Sequence, residues 1–149
     1  MADIQRTARA HWTGDLRSGV GKTSTGSGVL HDVTFSVPSR FAVAKGTNPE
    51  ELLAAAHASC FSMMLAKILG DQNNKPGAII TTATLTLGQR GGGWKIVSMH
   101  LETEVSAEGL DPEGLKKAAV QAKEQCPVSV LLKPGLESIS LDAKLKGGT

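Results

Sequence analysis

The feature that most constrains the fold is a long apolar stretch, Leu52–Leu69, in which Lys67 is the only formally charged residue. Residues 48–51 read Asn-Pro-Glu-Glu, which is the signature of a helix start: an N-cap, a proline in the first turn and acids beside the helix dipole. The stretch is close to the shortest length that spans a membrane. Its alanine content and its polar residues, among them His57 and Ser59, favour a buried helix over a membrane span.

A helix that is apolar nearly all round must be covered on every side. One small domain has difficulty providing that cover, so we expect a homodimer in which the helices of two copies pack together at the centre and the sheets lie outside. The chain has 149 residues, of which 40% are hydrophobic and 20% charged. These values predict a single compact domain over residues 1–149, large enough to bury a core.

Composition argues against several classes of partner. Sixteen Lys and Arg against fourteen Asp and Glu give a net charge of +2 without a long charged block, which predicts no polyanion partner. Three Phe, two Trp and no Tyr cannot provide the stacking platforms of a single-strand binder, so nucleic acid is not expected. The N-terminal residues contain no apolar run, and the two cysteines are too few for a disulfide scaffold. We therefore expect a cytoplasmic protein whose thiols bridge only transiently.

Alternation of apolar and polar residues with a period of two indicates strands. It runs weakly through residues 4–12 and clearly through residues 29–37, 79–87, 97–105 and 139–145. The glycine-rich interval Gly14–Gly28 is expected to supply the turns of an N-terminal antiparallel meander, and residues 88–93 the turn of a later hairpin. With two helices between these strand groups, the predicted fold class is α+β.

The second helix is predicted to start at Asp111-Pro112-Glu113 and to carry an alanine-rich apolar face. Cys126 extends that face by one turn, and Pro127 ends the helix. We expect Cys126 to lie at the helix end, beside chain that can still move.

Two apparent motifs do not hold. Gly21-Lys22-Thr23 imitates the end of a phosphate-binding loop, but Leu16 stands where that loop needs its first glycine. The four histidines show no metal-ligand spacing, and His57 with Cys60, three residues apart on one helix face, supplies too few ligands. No metal and no cofactor are predicted, and we expect His57 to support the thiol.

Cys60 has two interpretations. A free cysteine in an alanine-rich helix often fills a core. The second thiol, Cys126, makes a redox pair the alternative, because packing of the two helices would let the thiols meet. A reactive thiol must ionise, and Cys60 lies too deep in its helix for the helix N-terminus to help. Arg40, in the segment leading into the helix, could supply the required cation, although it could equally be a solvated loop charge.

Glu50 and Glu51 are first-turn acids that suit the helix dipole. A carboxylate at Glu50 could also orient the Arg40 guanidinium. Glu50 and Cys60 are about 15 Å apart along an intact helix, so Glu50 would most simply reach the Cys60 of a partner subunit.

Three longer segments and three short ones carry a resemblance to a known family. They are Gly46–Leu52, Ala55–Met63, Ala122–Ser129, Ala10–Gly14, Ser27–Leu30 and Arg40-Phe41. Together they resemble the OsmC/Ohr family of bacterial hydroperoxide peroxidases, and its OsmC branch in particular. The similarity spans nearly the whole chain.

The resemblance implies an α+β intertwined homodimer, with antiparallel sheets outside two central helices and a thiol peroxidase site at the subunit interface. It implies that Cys60 is the peroxidatic thiol, Cys126 the resolving thiol, Arg40 the activating cation and Glu50 its carboxylate partner. The expected substrates are hydroperoxides, organic ones in preference, and the expected reductant is an external dithiol such as a thiol protein or a lipoyl-type dithiol. The alternatives are a non-enzymatic, stress-associated redox sensor or binding protein, and a structural dimer with inert thiols.

Overall fold

The computed structural model describes residues 1–147 and divides the chain into two compact units, Met1–Leu52 and a second that begins at Leu53. Strands and helices are both present throughout, which confirms the predicted α+β class. The single domain over residues 1–149 and the dimer arrangement stay predictions.

The first unit contains an antiparallel sheet in the order β1 (Ala8–Thr13), β2 (Val20–Thr25) and β3 (Val33–Phe35). The meander is confirmed, but its middle strand lies inside the interval that was predicted to be turns. Gly21 explains the difference, because a Cβ on it would lie 2.2 Å from Cζ of Phe35. The glycine is a packing requirement of the strand and not a turn signal.

A short helix, α1 (Val37–Phe41), follows β3 where the alternating pattern predicted more strand. Ser36 begins it: the Ser36 side chain accepts a hydrogen bond from the Ser39 backbone N–H, and Ser39 Oγ accepts one from the Ser36 N–H at 2.8 Å. This reciprocal cap ends the strand. Arg40 therefore lies on a helix and not in the predicted loop.

The long helix α2 (Pro49–Asp71) starts as predicted, with Asn48 Oδ1 accepting a hydrogen bond from the Glu51 N–H at 2.8 Å. Its buried residues are His57, Phe61, Leu65, Ile68 and Leu69, whereas Met63 is 69% exposed. The helix is long and apolar enough to span a membrane, with a mean hydropathy of 1.6. A core helix meets the same criterion, so this property alone does not indicate a membrane protein.

The second unit contains a sheet in the order β4 (Pro76–Arg90), β5 (Gly93–Ala107) and β6 (Ser138–Leu145). Strands β4 and β5 form the predicted hairpin, whose turn is only Gly91-Gly92, with φ of 58° and 84°. Two consecutive positive φ values fit the tight turn that matches strand twist. The prediction of purely antiparallel sheets is wrong, because β6 pairs parallel to β5 after a helical crossover.

That crossover consists of α3 (Pro112–Gln125), α4 (Pro127–Leu132) and a 3-10 turn, Lys133–Gly135. Asp111 caps α3 as predicted, accepting a hydrogen bond from the Gly114 N–H at 2.6 Å. The core of the unit joins α2, β5 and α3; its members include Phe61, Leu65, Leu69, Leu101, Val105, Leu115, Ala118, Ala119, Ala122 and Cys126.

Candidate active site

The thiols of Cys60 and Cys126 are near enough for Cys126 to raise the pKa of Cys60, and both are free. Cys60 is partly buried on α2, and Cys126 is fully buried between α3 and α4. The pair forms part of one apolar cluster. The fold therefore places together the two sulfurs that the sequence could only suggest as neighbours.

Burial raises the pKa of the Cys60 thiol, and the neighbouring Cys126 thiol raises it further, while a hydrogen bond from the Val128 N–H lowers it. Desolvation is the largest of these effects, since an apolar surrounding disfavours the thiolate. Activation of Cys60 by the Arg40 guanidinium stays a prediction. An ionised Cys60 needs charge that the core cluster does not provide.

Cys126 is anchored on both sides of its backbone. Its N–H donates to Ala122 O at 2.8 Å, closing α3, and its carbonyl accepts from the Val130 N–H at 3.0 Å, opening α4. Pro127 ends α3 as predicted, but it also begins the next helix. Cys126 lies at the helix end as predicted, and the chain that follows it forms a second helix and not a loop.

Arg40 and Glu50 form an ion pair in the first unit. Both Nε and Nη2 of Arg40 donate to Glu50 Oε1, at 3.0 and 2.6 Å. The Arg40 side chain is 38% exposed, and that of Glu50 is 12% exposed. Glu50, and not Glu51, is thus the carboxylate that orients this guanidinium.

His57 lies one turn before Cys60 and is fully buried. Its Nε2 is 2.6 Å from Ser129 Oγ, and its Nδ1 is buried without a hydrogen-bond partner. Burial lowers the pKa of His57. Sequence reasoning did not single out Ser129 or the Val128 N–H, although both follow Cys126-Pro127 directly. Within residues 1–147, no group of three or more His, Cys, Asp or Glu side chains could hold a metal ion.

The α+β fold places two free thiols in one apolar cluster, one partly accessible and one fully buried. The family model described as OsmC-like protein matches residues 42–139, which is more than half of the chain. The protein belongs to the OsmC/Ohr family. The matched range includes Glu50, Cys60 and Cys126 and begins just after Arg40.

Three relatives illustrate this membership. The peroxiredoxin OsmC of Escherichia coli is 43% identical over 143 residues, covering 96% of this chain and 98% of that protein. The organic hydroperoxide resistance protein of Xanthomonas axonopodis is 34% identical over 101 residues, covering 66% of this chain and 69% of that protein. The crystal structure of OhrB of Bacillus subtilis matches with a TM-score of 0.67 at 27% identity, covering 94% and 98% of the two chains. These names agree with the enzyme class expected from the sequence, a peroxidase.

Proposed function

We propose that the protein is a thiol peroxidase that reduces hydroperoxides, organic ones in preference, to alcohols. The observation that carries the proposal is the proximity of Cys60 and Cys126 in one apolar cluster. The names of its relatives, a peroxiredoxin and organic hydroperoxide resistance proteins, support the same activity.

The cycle begins at Cys60, the more accessible thiol. Its thiolate attacks one peroxide oxygen of ROOH, the O–O bond breaks, and the leaving alkoxide takes a proton to become ROH. Cys60 is then a sulfenic acid. The Cys126 thiol attacks the Cys60 sulfur, which forms the disulfide and releases water. An external dithiol reduces the bridge, returning both thiols and becoming a disulfide itself.

Arg40 is the activating cation in this proposal, and Glu50 holds it in orientation. The two-pronged ion pair supports this role, because it fixes the plane of the Arg40 guanidinium and leaves part of the Arg40 side chain exposed to solvent. Burial raises the pKa of Cys60, so a positive charge is needed to favour the thiolate and the charge that develops on the peroxide oxygens.

An exposed apolar side chain on the helix of Cys60 supports a preference for organic hydroperoxides. Met63, one turn after Cys60 on α2, is 69% exposed. An apolar side chain near the reacting sulfur favours an alkyl group over hydrogen peroxide.

A homodimer in the cytoplasm is part of the proposal. The apolar helix α2 buries one face in the second unit, and its residues Ala55, Ala56 and Met63 are exposed. An exposed apolar helix face is stabilised by a second copy of the same face. The two-cysteine cycle also fits a compartment that keeps thiols reduced.

The alternative, a redox sensor without useful turnover, requires the cysteine pair to switch the conformation of the chain. The backbone of Cys126 is hydrogen-bonded on both sides, in α3 and in α4. That anchoring favours chemistry at the sulfur over rearrangement of the segment.

The test is mass analysis of the reduced protein before and after one equivalent of tert-butyl hydroperoxide. We expect the loss of two hydrogens, mapped to a peptide pair that contains Cys60 and Cys126, with one equivalent of alcohol formed. Continued peroxide consumption with dithiothreitol separates an enzyme from a sensor. Cys60→Ser is the matched control, and consumption at the wild-type rate in this variant would remove the assignment. Faster reaction with hydrogen peroxide than with the alkyl peroxide would remove the substrate preference.

A further inference from the structure

A buried hydrogen bond ties the helix of one cysteine to the segment that follows the other. His57 Nε2 and Ser129 Oγ are 2.6 Å apart, and the two residues are 0% and 3% exposed. His57 precedes Cys60 by one turn of α2, and Ser129 lies in the first turn of α4, which Cys126 begins. The bond therefore spans the two elements that present the thiols.

Packing alone does not explain a histidine in this place. The imidazole leaves Nδ1 buried and without a partner, and burial lowers its pKa and keeps the ring neutral. A stranded polar atom is costly, whereas an apolar pair of similar size at positions 57 and 129 would strand none. What the histidine gains over an apolar residue is its one hydrogen bond, to Ser129.

The first turn of α4 has few other ties. Pro127 has no N–H, and the Cys126 side chain makes no capping hydrogen bond. The Val128 N–H, which has no acceptor within the helix, acts on the Cys60 sulfur and lowers the pKa of that thiol. The turn thus meets α2 at two polar contacts, one at the reacting sulfur and one, a hydrogen bond of 2.6 Å, at His57.

These two ties respond differently to oxidation. A thiolate is a strong hydrogen-bond acceptor, whereas the sulfur of a sulfenic acid carries no such charge, so the bond from Val128 weakens once Cys60 has reacted. The bond between His57 and Ser129 involves no sulfur and persists. It is therefore a tie between α2 and the first turn of α4 that remains at the moment when condensation must take place.

We propose that His57 is a positioning residue: through Ser129 it fixes the first turn of α4, so that the Val128 N–H and the Cys126 thiol both face Cys60. The part of this inference that concerns disulfide formation rests on the proposed peroxidase function. The part that concerns the Val128 donor applies to the reduced protein whatever its function.

The first arm of the test uses the reduced protein and no peroxide. The pH dependence of Cys60 alkylation by iodoacetamide is followed by peptide mass mapping in wild type, His57→Leu, Ser129→Ala and His57→Gln. We expect alkylation at neutral pH to slow about fivefold in the first two variants, because the Val128 donor is no longer held against the sulfur. The glutamine side chain can still donate to Ser129, so His57→Gln is expected to restore the wild-type profile.

The second arm measures the partition of oxidised Cys60 between disulfide and sulfinic acid as the alkyl hydroperoxide concentration is raised. Loss of the tie slows condensation, and we expect the sulfinic fraction at a given peroxide concentration to rise about fivefold in His57→Leu and Ser129→Ala. His57→Gln is again expected to behave as wild type.

A double variant, His57→Leu with Ser129→Ala, separates positioning from general stability. Replacing both partners by apolar groups is nearly neutral for folding, so the unfolding free energy is expected to return toward wild type while the sulfinic fraction stays high. Recovery of both quantities together would show a merely structural bond and overturn the inference.

The outcomes keep the two proposals apart. If wild-type protein forms no disulfide with peroxide, the peroxidase proposal fails, and the alkylation arm still decides the role of His57. If wild type forms the disulfide while His57→Leu and Ser129→Ala match it in both arms, the positioning role is overturned and the peroxidase proposal stands.

Discussion

The guanidinium of Arg40 and the carboxylate of Glu50 meet through two nitrogens, although one residue lies on α1 and the other in the first turn of α2. The arginine keeps 38% of its side chain exposed, whereas the glutamate keeps 12%. An ion pair this open adds only about 1 kcal/mol or less to stability. Its value is orientation of the guanidinium, so changes to it are expected to affect reactivity more than folding.

Arg40→Lys and Glu50→Gln are expected to slow oxidation of Cys60 by about tenfold or more. A lysine cannot form the planar two-pronged contact with Glu50, and a neutral glutamine cannot hold the Arg40 guanidinium in orientation through an ion pair. Stopped-flow consumption of an alkyl hydroperoxide measures the rate. Arg90→Lys is the matched control, since Arg90 also contacts a glutamate, Glu137, through two nitrogens outside the candidate site. Wild-type rates in Arg40→Lys would contradict the activating role.

Cys126→Ser is expected to reduce about one equivalent of peroxide and then stop, because the sulfenic acid on Cys60 has no thiol partner. Excess peroxide should convert Cys60 to the sulfinic and sulfonic acids, which dithiothreitol does not reverse. Mass analysis of the Cys60 peptide follows these products. Sustained turnover of Cys126→Ser at the wild-type rate would show that Cys126 is not the resolving thiol.

Burial lowers the pKa of His57 below its ordinary value of 6.5, so the unfolded chain binds a proton that the folded chain resists. The contribution of His57 to the unfolding free energy is therefore complete above about pH 6.5. It is lost as the pH decreases below that value, by at most about 1.4 kcal/mol per pH unit. Urea unfolding between pH 8 and pH 5 measures the effect. His57→Gln does not titrate, and a loss equal to wild type in this variant would assign the pH dependence to other groups.

Two substitutions on neighbouring positions of α2 distinguish its two faces. Phe61 is fully buried in the core, and Phe61→Ala is expected to cost about 3–5 kcal/mol of unfolding free energy. Met63 is 69% exposed, and Met63→Glu is expected to weaken the proposed dimer while leaving the secondary structure intact. Circular dichroism and sedimentation velocity measure the two effects.

The exposed Lys116 on α3 provides the control for added negative charge, as Lys116→Glu. This variant is expected to sediment as wild type does. If Met63→Glu and Lys116→Glu sediment identically, the exposed face of α2 does not form the dimer contact.

Short sequence patterns predicted the elements that are stabilised by contacts between residues close together in the chain. The start of α2 at Asn48 and of α3 at Asp111 follow from capping hydrogen bonds within one turn. The β4–β5 hairpin follows from alternation on both sides of a glycine turn. The cysteines drew attention because the sequence has only two of them.

What the sequence did not predict depends on contacts between distant residues. The strand β2 was hidden because Gly21 accommodates the ring of Phe35, a contact that no local pattern announces. The parallel pairing of β6 depends on the path of the helical crossover. The raised pKa of Cys60 comes mainly from partial burial of its thiol against the core, and Ser129 is hydrogen-bonded to His57 on another helix.

The unequal burial of the two sulfurs sets the direction in which a disulfide between them would be opened. Cys126 is fully buried and Cys60 is not. An incoming dithiol therefore meets the sulfur of Cys60 first, and the mixed disulfide forms on that residue with Cys126 as the leaving group. In the proposed cycle, the peroxide and the reductant therefore react in turn at the same sulfur.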